Sequence, residues 1–176
     1  MVRYLAPVMA FCLLGHMTLT AAPAAAQQQQ QQLQNITKTT NGAWTLECGT
    51  VPANGQRICQ MSQFANDPQT NKPVIQAAVL QPPGAQNAIL RLIAPLGVWL
   101  RPGVELSIDG GQPNKLNFEF CLREGCIAQL PMTPGLVAAM KKGKAANLTL
   151  RNIRRQQVSL SVSLSGFTKS FNGLSG

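Results

Sequence analysis

Few residues in this chain are equipped for chemistry: five cysteines, one histidine and six carboxylates among 176 residues. A serine or cysteine nucleophile needs a base beside it, and many zinc sites draw on imidazole. His16 is the only imidazole, and it lies in a segment that reads as a removable leader. The mature chain then has none, which excludes Ser-His-Asp and Cys-His machinery and histidine-ligated zinc. Glu47, Asp67, Glu105, Asp109, Glu119 and Glu124 show no pairing of the kind a glycosidase sets across a cleft. Strand alternation puts Glu105 and Glu119 on wetted faces. No nucleophile elbow, phosphate-binding loop or H-E-x-x-H motif is present. A Ser–Lys arrangement stays open only as the local juxtaposition Thr168-Lys169-Ser170. The chain reads as a non-enzyme without cofactor or metal.

The cysteines carry a different chemistry. Residues 1–26 have one positive charge at Arg3, an uncharged apolar run and a small-residue stretch ending in Ala24-x-Ala26. That order is the pattern of a secretory signal peptide cleaved before Gln27. The apolar run falls short of the roughly 20 residues that cross a bilayer, and no later segment is longer. The expectation is a periplasmic, secreted or cell-surface protein with no transmembrane segment after cleavage. Cys12 leaves with the signal. Cys48, Cys59, Cys121 and Cys126 remain, an even count in an oxidising compartment, and so two disulfides. Three connectivities are possible. Cys48–Cys59 and Cys121–Cys126 are favoured because each pair brackets turn residues: Pro52, Asn54 and Gly55 in one, Glu124 and Gly125 in the other. The spacings do not match paired C-x2-C zinc knuckles, and no redox-active C-x-x-C occurs.

Those staples need elements to join. Val158, Leu160, Val162 and Leu164 alternate with serines, the pattern of a strand with one buried face. Leu116, Phe118, Phe120 and Leu122 alternate with polar residues, as do Val104, Leu106 and Ile108. Weaker strands are expected over 43–48, 57–64, 73–80, 88–94 and 146–153, with Pro and Gly turns between them. One segment breaks the alternation. Thr133 suits a helix cap, Pro134 its first turn and Gly143 its end, with Lys141 and Lys142 at the negative end of the dipole. This predicts a helix over 134–142, and a second short one is expected over 168–174. The fold class is therefore all-β: a single-domain β-sandwich or partly open barrel with one or two short covering helices. Residues 27–41, opening on a glutamine run, are expected to be a flexible leader. Residues 42–176 form the domain.

Charge is the most unusual feature. The chain carries a formal +9, and losing Arg3 leaves +8. No acidic residue follows Glu124. Lys141, Lys142, Lys144, Arg151, Arg154 and Arg155 fall on a helix end, a turn and a strand, where several of them could share one face, a candidate anion-binding patch. The alternative is a solvated face that serves solubility. Outside the cytoplasm its partners would be anionic envelope or host-surface components, or another envelope protein. Nucleic acid is disfavoured by compartment and by the scarcity of aromatics for stacking. Trp44 and Trp99 read as core residues, with sugar stacking the sharper alternative for Trp99. The stretch 93–100 is notably apolar for a turn region and reads as a buried corner or a partner-binding patch. Asn35-Ile36-Thr37 and Asn147-Leu148-Thr149 match glycosylation sequons, which matter only in a glycosylating host.

The order of these features resembles a known family. Gly42-Ala43-Trp44-Thr45-Leu46-Glu47-Cys48 precedes Cys59, Pro95-Leu96-Gly97-Val98 precedes Gly103-Val104-Glu105-Leu106, and Phe120-Cys121-Leu122-Arg123-Glu124-Gly125-Cys126 precedes a closing Ser165-Gly166-Phe167. Over residues 42–174 this resembles the invasion-associated locus B family of exported bacterial proteins. The resemblance implies a periplasmic or surface-associated, non-enzymatic protein, with some members linked to entry into host cells. It brings no catalytic or ligand-binding residues, and only the four cysteines carry over, as structural.

Overall fold

The computed structural model describes residues 32–175. Eleven strands and two short helices follow in the order β1 (Gln34–Asn41), β2 (Trp44–Thr50), β3 (Arg57–Asn66), β4 (Pro73–Leu80), β5 (Ile89–Ala94), β6 (Val104–Ile108), β7 (Asn114–Leu116), β8 (Phe118–Leu122), β9 (Gly125–Pro131), α1 (Pro134–Lys142), β10 (Ala145–Arg151), β11 (Gln157–Ser163) and α2 (Phe167–Asn172). A 3-10 turn, Gly173–Ser175, follows. All strand pairing is antiparallel. One sheet has seven strands in the order β1-β2-β3-β4-β5-β9-β8, the other four in the order β11-β10-β6-β7. The chain is mostly β, in two sheets and not a closed barrel.

Alternation explains the layering. Met61, Ile75, Val79, Leu90 and Leu92 turn inward from the larger sheet, and Val104, Leu106, Leu148, Leu160 and Val162 from the smaller. Together they form one apolar core. The serines of β11 take the other face. The helix over 134–142 lies where the sequence puts it. Thr133 Oγ1 accepts from the Leu136 amide at 3.2 Å, Leu136 and Met140 are buried, and the Gly143 amide donates to the Ala139 carbonyl at 2.8 Å. The helix α2 starts one residue before the expected 168.

Two expectations need correction. The flexible leader was expected to run to Asn41, but Gln34–Asn41 is a strand paired along β2. Its side chains are exposed up to Thr40, so backbone pairing and β-branched Ile36, Thr37, Thr39 and Thr40 hold it, not burial. Asn41 is buried, and its Nδ2 donates to Ser170 Oγ at 3.1 Å. Residues 27–31 of the leader and the signal segment lie outside the described residues. The second correction concerns Leu116 to Leu122, expected as one strand with one buried face. The chain crosses from one sheet to the other at Asn117, so β7 pairs with β6 and β8 with β9. Leu116 is buried, whereas Phe120 and Leu122 are about half exposed on an edge strand.

Candidate functional site

The disulfides sit where register brings thiols face to face. Cys48 is opposite Cys59 across β2 and β3, and Cys121 is opposite Cys126 across β8 and β9. Both bridges are formed, with S–S distances of 2.16 and 2.03 Å. The favoured connectivity is the observed one.

The six cationic residues of the expected patch are all exposed but do not share one site. Lys141 and Lys142 end α1, and Lys144 precedes β10. Arg151 closes β10, and Arg154 and Arg155 lie in the turn after it. A seven-residue strand at roughly 3.3 Å per residue separates the groups by about 20 Å. The sequence places them close in number, but an extended strand carries them to opposite ends of the sheet. At the lysine end, Lys141 Nζ donates to Asn172 Oδ1 at 2.9 Å and lies 5.0 Å from the Phe171 ring centroid. At the arginine end, Arg151 Nη1 donates to the Arg155 carbonyl at 2.9 Å, and the Arg155 guanidinium lies 5.1 Å from the Trp99 ring centroid. Among the described residues the one ion pair is Lys38–Glu47, at 3.2 Å. None of the six cations is paired with a carboxylate among the described residues.

The carboxylates have structural partners. Asp67 Oδ1 accepts from the Gln69 and Thr70 amides, each at 2.8 Å. Glu119 accepts from Gln129 Nε2 at 2.7 Å. Asp109 accepts from the Lys144 amide at 2.9 Å and the Ala145 amide at 2.9 Å, pinning the start of β10. These backbone donors, Lys144 first and Ala145 next, hold the Asp109 carboxyl below its ordinary value, with the Lys144 charge adding to them. A depressed folded pKa means the contribution is present above the unfolded value and is lost as pH falls through the folded one. Asp109→Asn keeps a side chain that tolerates the positive φ of 47° here. Thermal melts should show this variant less stable than wild type at neutral pH, with a shallower loss in acid below the carboxylate range. Superimposable pH profiles would refute the assignment. The Ser–Lys juxtaposition does not assemble: Ser170 is buried on Asn41, while Lys169 is exposed.

A cleft of about 540 Å³ lies between β3 and the edge strand β11. Phe64, Asn66, Asn147, Thr149, Ser159 and Ser161 line it, and no charged residue does. The cleft and the cationic groups are therefore separate surfaces. Trp44 is fully buried, as expected. Trp99 is only half-buried, and the apolar 93–100 stretch divides: Ala94 is buried, while Leu96 and Leu100 face solvent.

The family model described as Invasion associated locus B (IalB) protein matches residues 44–175, three quarters of the chain. The chain belongs to the IalB family. An invasion protein B homolog from Brucella abortus strain 2308 is 30% identical over 168 residues, covering 95% of this chain and 93% of that protein. A homolog from Brucella abortus biovar 1 strain 9-941 matches to the same extent. The crystal structure of invasion associated protein B from Bartonella henselae superposes with a TM-score of 0.68 at 25% identity, covering 78% of this chain and 94% of that one. The IalB match includes both cysteine pairs and the arginine and lysine groups, but it starts after β1.

Proposed function

We propose that this IalB-family chain is an exported, non-enzymatic envelope or surface protein that binds anionic envelope or host-surface material. A part in invasion, the process named in its relatives, belongs to the same reading, with a host cell as its target. The observation that carries it is the set of exposed cations without carboxylate partners in a chain of net charge +9. Export is supported by the two formed disulfides. No helix among the described residues is long and apolar enough to cross a membrane. A non-enzymatic role is supported by the structural engagement of Asp67, Asp109 and Glu119 and by Ser170 being buried against Asn41 while Lys169 is exposed.

The test is capture on lipopolysaccharide and on anionic liposomes at low salt. The comparison is wild type against a variant with Lys141, Lys142, Arg151, Arg154 and Arg155 changed to Glu. Binding should fall at least about tenfold, and wild-type binding should weaken as salt is raised. Equal capture of both proteins removes the electrostatic reading. A second reading, a periplasmic structural or chaperone-like protein-binding module, is favoured by one observation. Edge strand β11 borders the uncharged cleft, beside a Phe64 that is 57% exposed. Co-purification of a partner that survives high salt and is lost in Phe64→Ala supports that reading.

A further inference from the structure

We propose that one end of the sandwich, built from the β5–β6, β8–β9 and β10–β11 loops, is a tip that docks on bilayers containing anionic phospholipid. The proposal rests on the anion-binding reading above and names the surface and the anion. Backbone bonds bring the loops together. The Ile153 amide donates to the Gly97 carbonyl at 2.9 Å, and the Trp99 amide to the Arg151 carbonyl at 2.8 Å. Val98 and Asn152 form an isolated bridge. Ala94 pairs with Cys126, which sets the β8–β9 hairpin beside the start of the 95–103 loop.

Two kinds of side chain segregate to this end. Five of the eight large apolar side chains exposed among the described residues are here: Leu96, Leu100, Phe120, Leu122 and Ile153, the last 72% exposed. Five of the seven described arginines are here as well: Arg101, Arg123, Arg151, Arg154 and Arg155. Glu105, Glu119 and Glu124 are the carboxylates on the same elements, three against five arginines, so positive charge dominates. Solvent-facing leucine and isoleucine on loops locked by backbone bonds cannot retreat into the core. At a bilayer they enter the acyl boundary while guanidinium groups stay at phosphate depth. Arginine suits that position because its planar fork binds phosphate oxygens in pairs. Half-buried Trp99, under the Arg155 guanidinium, is placed for the interfacial belt where indoles collect. The lysine end carries none of these five side chains, so charge alone does not distinguish the two ends; the pairing of arginine with leucine and isoleucine does.

The experiment is co-sedimentation of the mature chain, beginning at Gln27, with vesicles of phosphatidylcholine alone or mixed with phosphatidylglycerol. Wild type should bind only the mixed vesicles. Leu96→Asn, Leu100→Asn and Ile153→Asn combined should weaken that binding about tenfold or more at unchanged net charge. Neutralising Arg101, Arg151, Arg154 and Arg155 with glutamine should weaken it more than neutralising Lys141, Lys142, Lys144 and Lys169. A readout on the unmutated tip comes from lipids brominated in the acyl chain. They should quench Trp99, with the quench gone in Trp99→Phe, while buried Trp44 stays shielded. Vesicle binding without quenching, or loss of binding only in the lysine variant, overturns the tip and leaves the anion-binding reading standing. Failure of wild type to bind these vesicles or lipopolysaccharide overturns both. Binding that is indifferent to phosphatidylglycerol, or capture of an envelope protein by the tip in place of vesicles, also overturns the proposal.

Discussion

Replacing Trp44 with alanine should remove about 3–5 kcal/mol of stability, enough to unfold most of a domain of ordinary stability. Trp44 lies on β2 of the larger sheet, is fully buried, and reaches across to the smaller one. Its Nε1 donates to the Ser163 carbonyl on β11 at 2.9 Å. Its ring meets Phe167 of α2 edge to face at 5.4 Å between centroids and 74° between planes. One side chain thus joins both sheets and the C-terminal helix, and truncation opens a cavity at their junction. Trp44→Phe separates the packing from the hydrogen bond. The Ser163 carbonyl keeps a second donor, Gln63 Nε2 at 2.6 Å, so that variant should lose only about 1–2 kcal/mol. Urea unfolding followed by circular dichroism measures both. A loss below about 1 kcal/mol in the alanine variant would show that the sheets do not depend on this contact.

How far the sequence discloses the fold follows from which interactions are local. Strands β6, β10 and β11 are legible because one face of each is buried, and burial writes a period of two into the side chains. Helix α1 is legible because its cap, first-turn proline and terminating glycine act within a few residues. The β1 strand is hidden: it is held by its backbone ladder on β2, and its polar side chains report nothing of that. The crossing at Asn117 is hidden for the opposite reason. Alternation runs unbroken through Leu116, Phe118 and Phe120, yet the partner sheet changes between them. The candidate site divides in the same way. The type of each cation is legible, but its place is not. Sequence neighbours Lys144 and Arg151 end up a strand apart, while Arg101 and Arg155, far apart in number, share an end through the bonds of Trp99 and Ile153 to the paired loop. The apolar run over 93–100 was the one local sign that something unusual happens there. Its Leu96 and Leu100 became visible as surface residues only once the core was seen to close without them.

Removing the Cys48–Cys59 bridge by double alanine substitution should cost about 3 kcal/mol, and removing Cys121–Cys126 about 2 kcal/mol, by loop-closure entropy. The difference follows from sequence separations of 11 and 5 residues. Burial pushes the same way: Cys48 and Cys59 are both in the core, whereas Cys121 is exposed. The two bridges lie on separate hairpins, so their effects should add to about 5 kcal/mol, comparable with the whole stability of a small domain. Denaturant unfolding of the two single-bridge variants and the variant lacking both, with and without reductant, measures each value. Wild type in reductant should fall to the level of the variant lacking both, and the non-reduced protein should show no thiol among these four cysteines. A fully reduced chain that keeps its wild-type midpoint would mean that the strands hold without their staples. It would also remove the physical reason for this fold to require an oxidising compartment. If the expected loss is found, the bridges tie the working state of the protein to export, because the reduced chain would have little stability left.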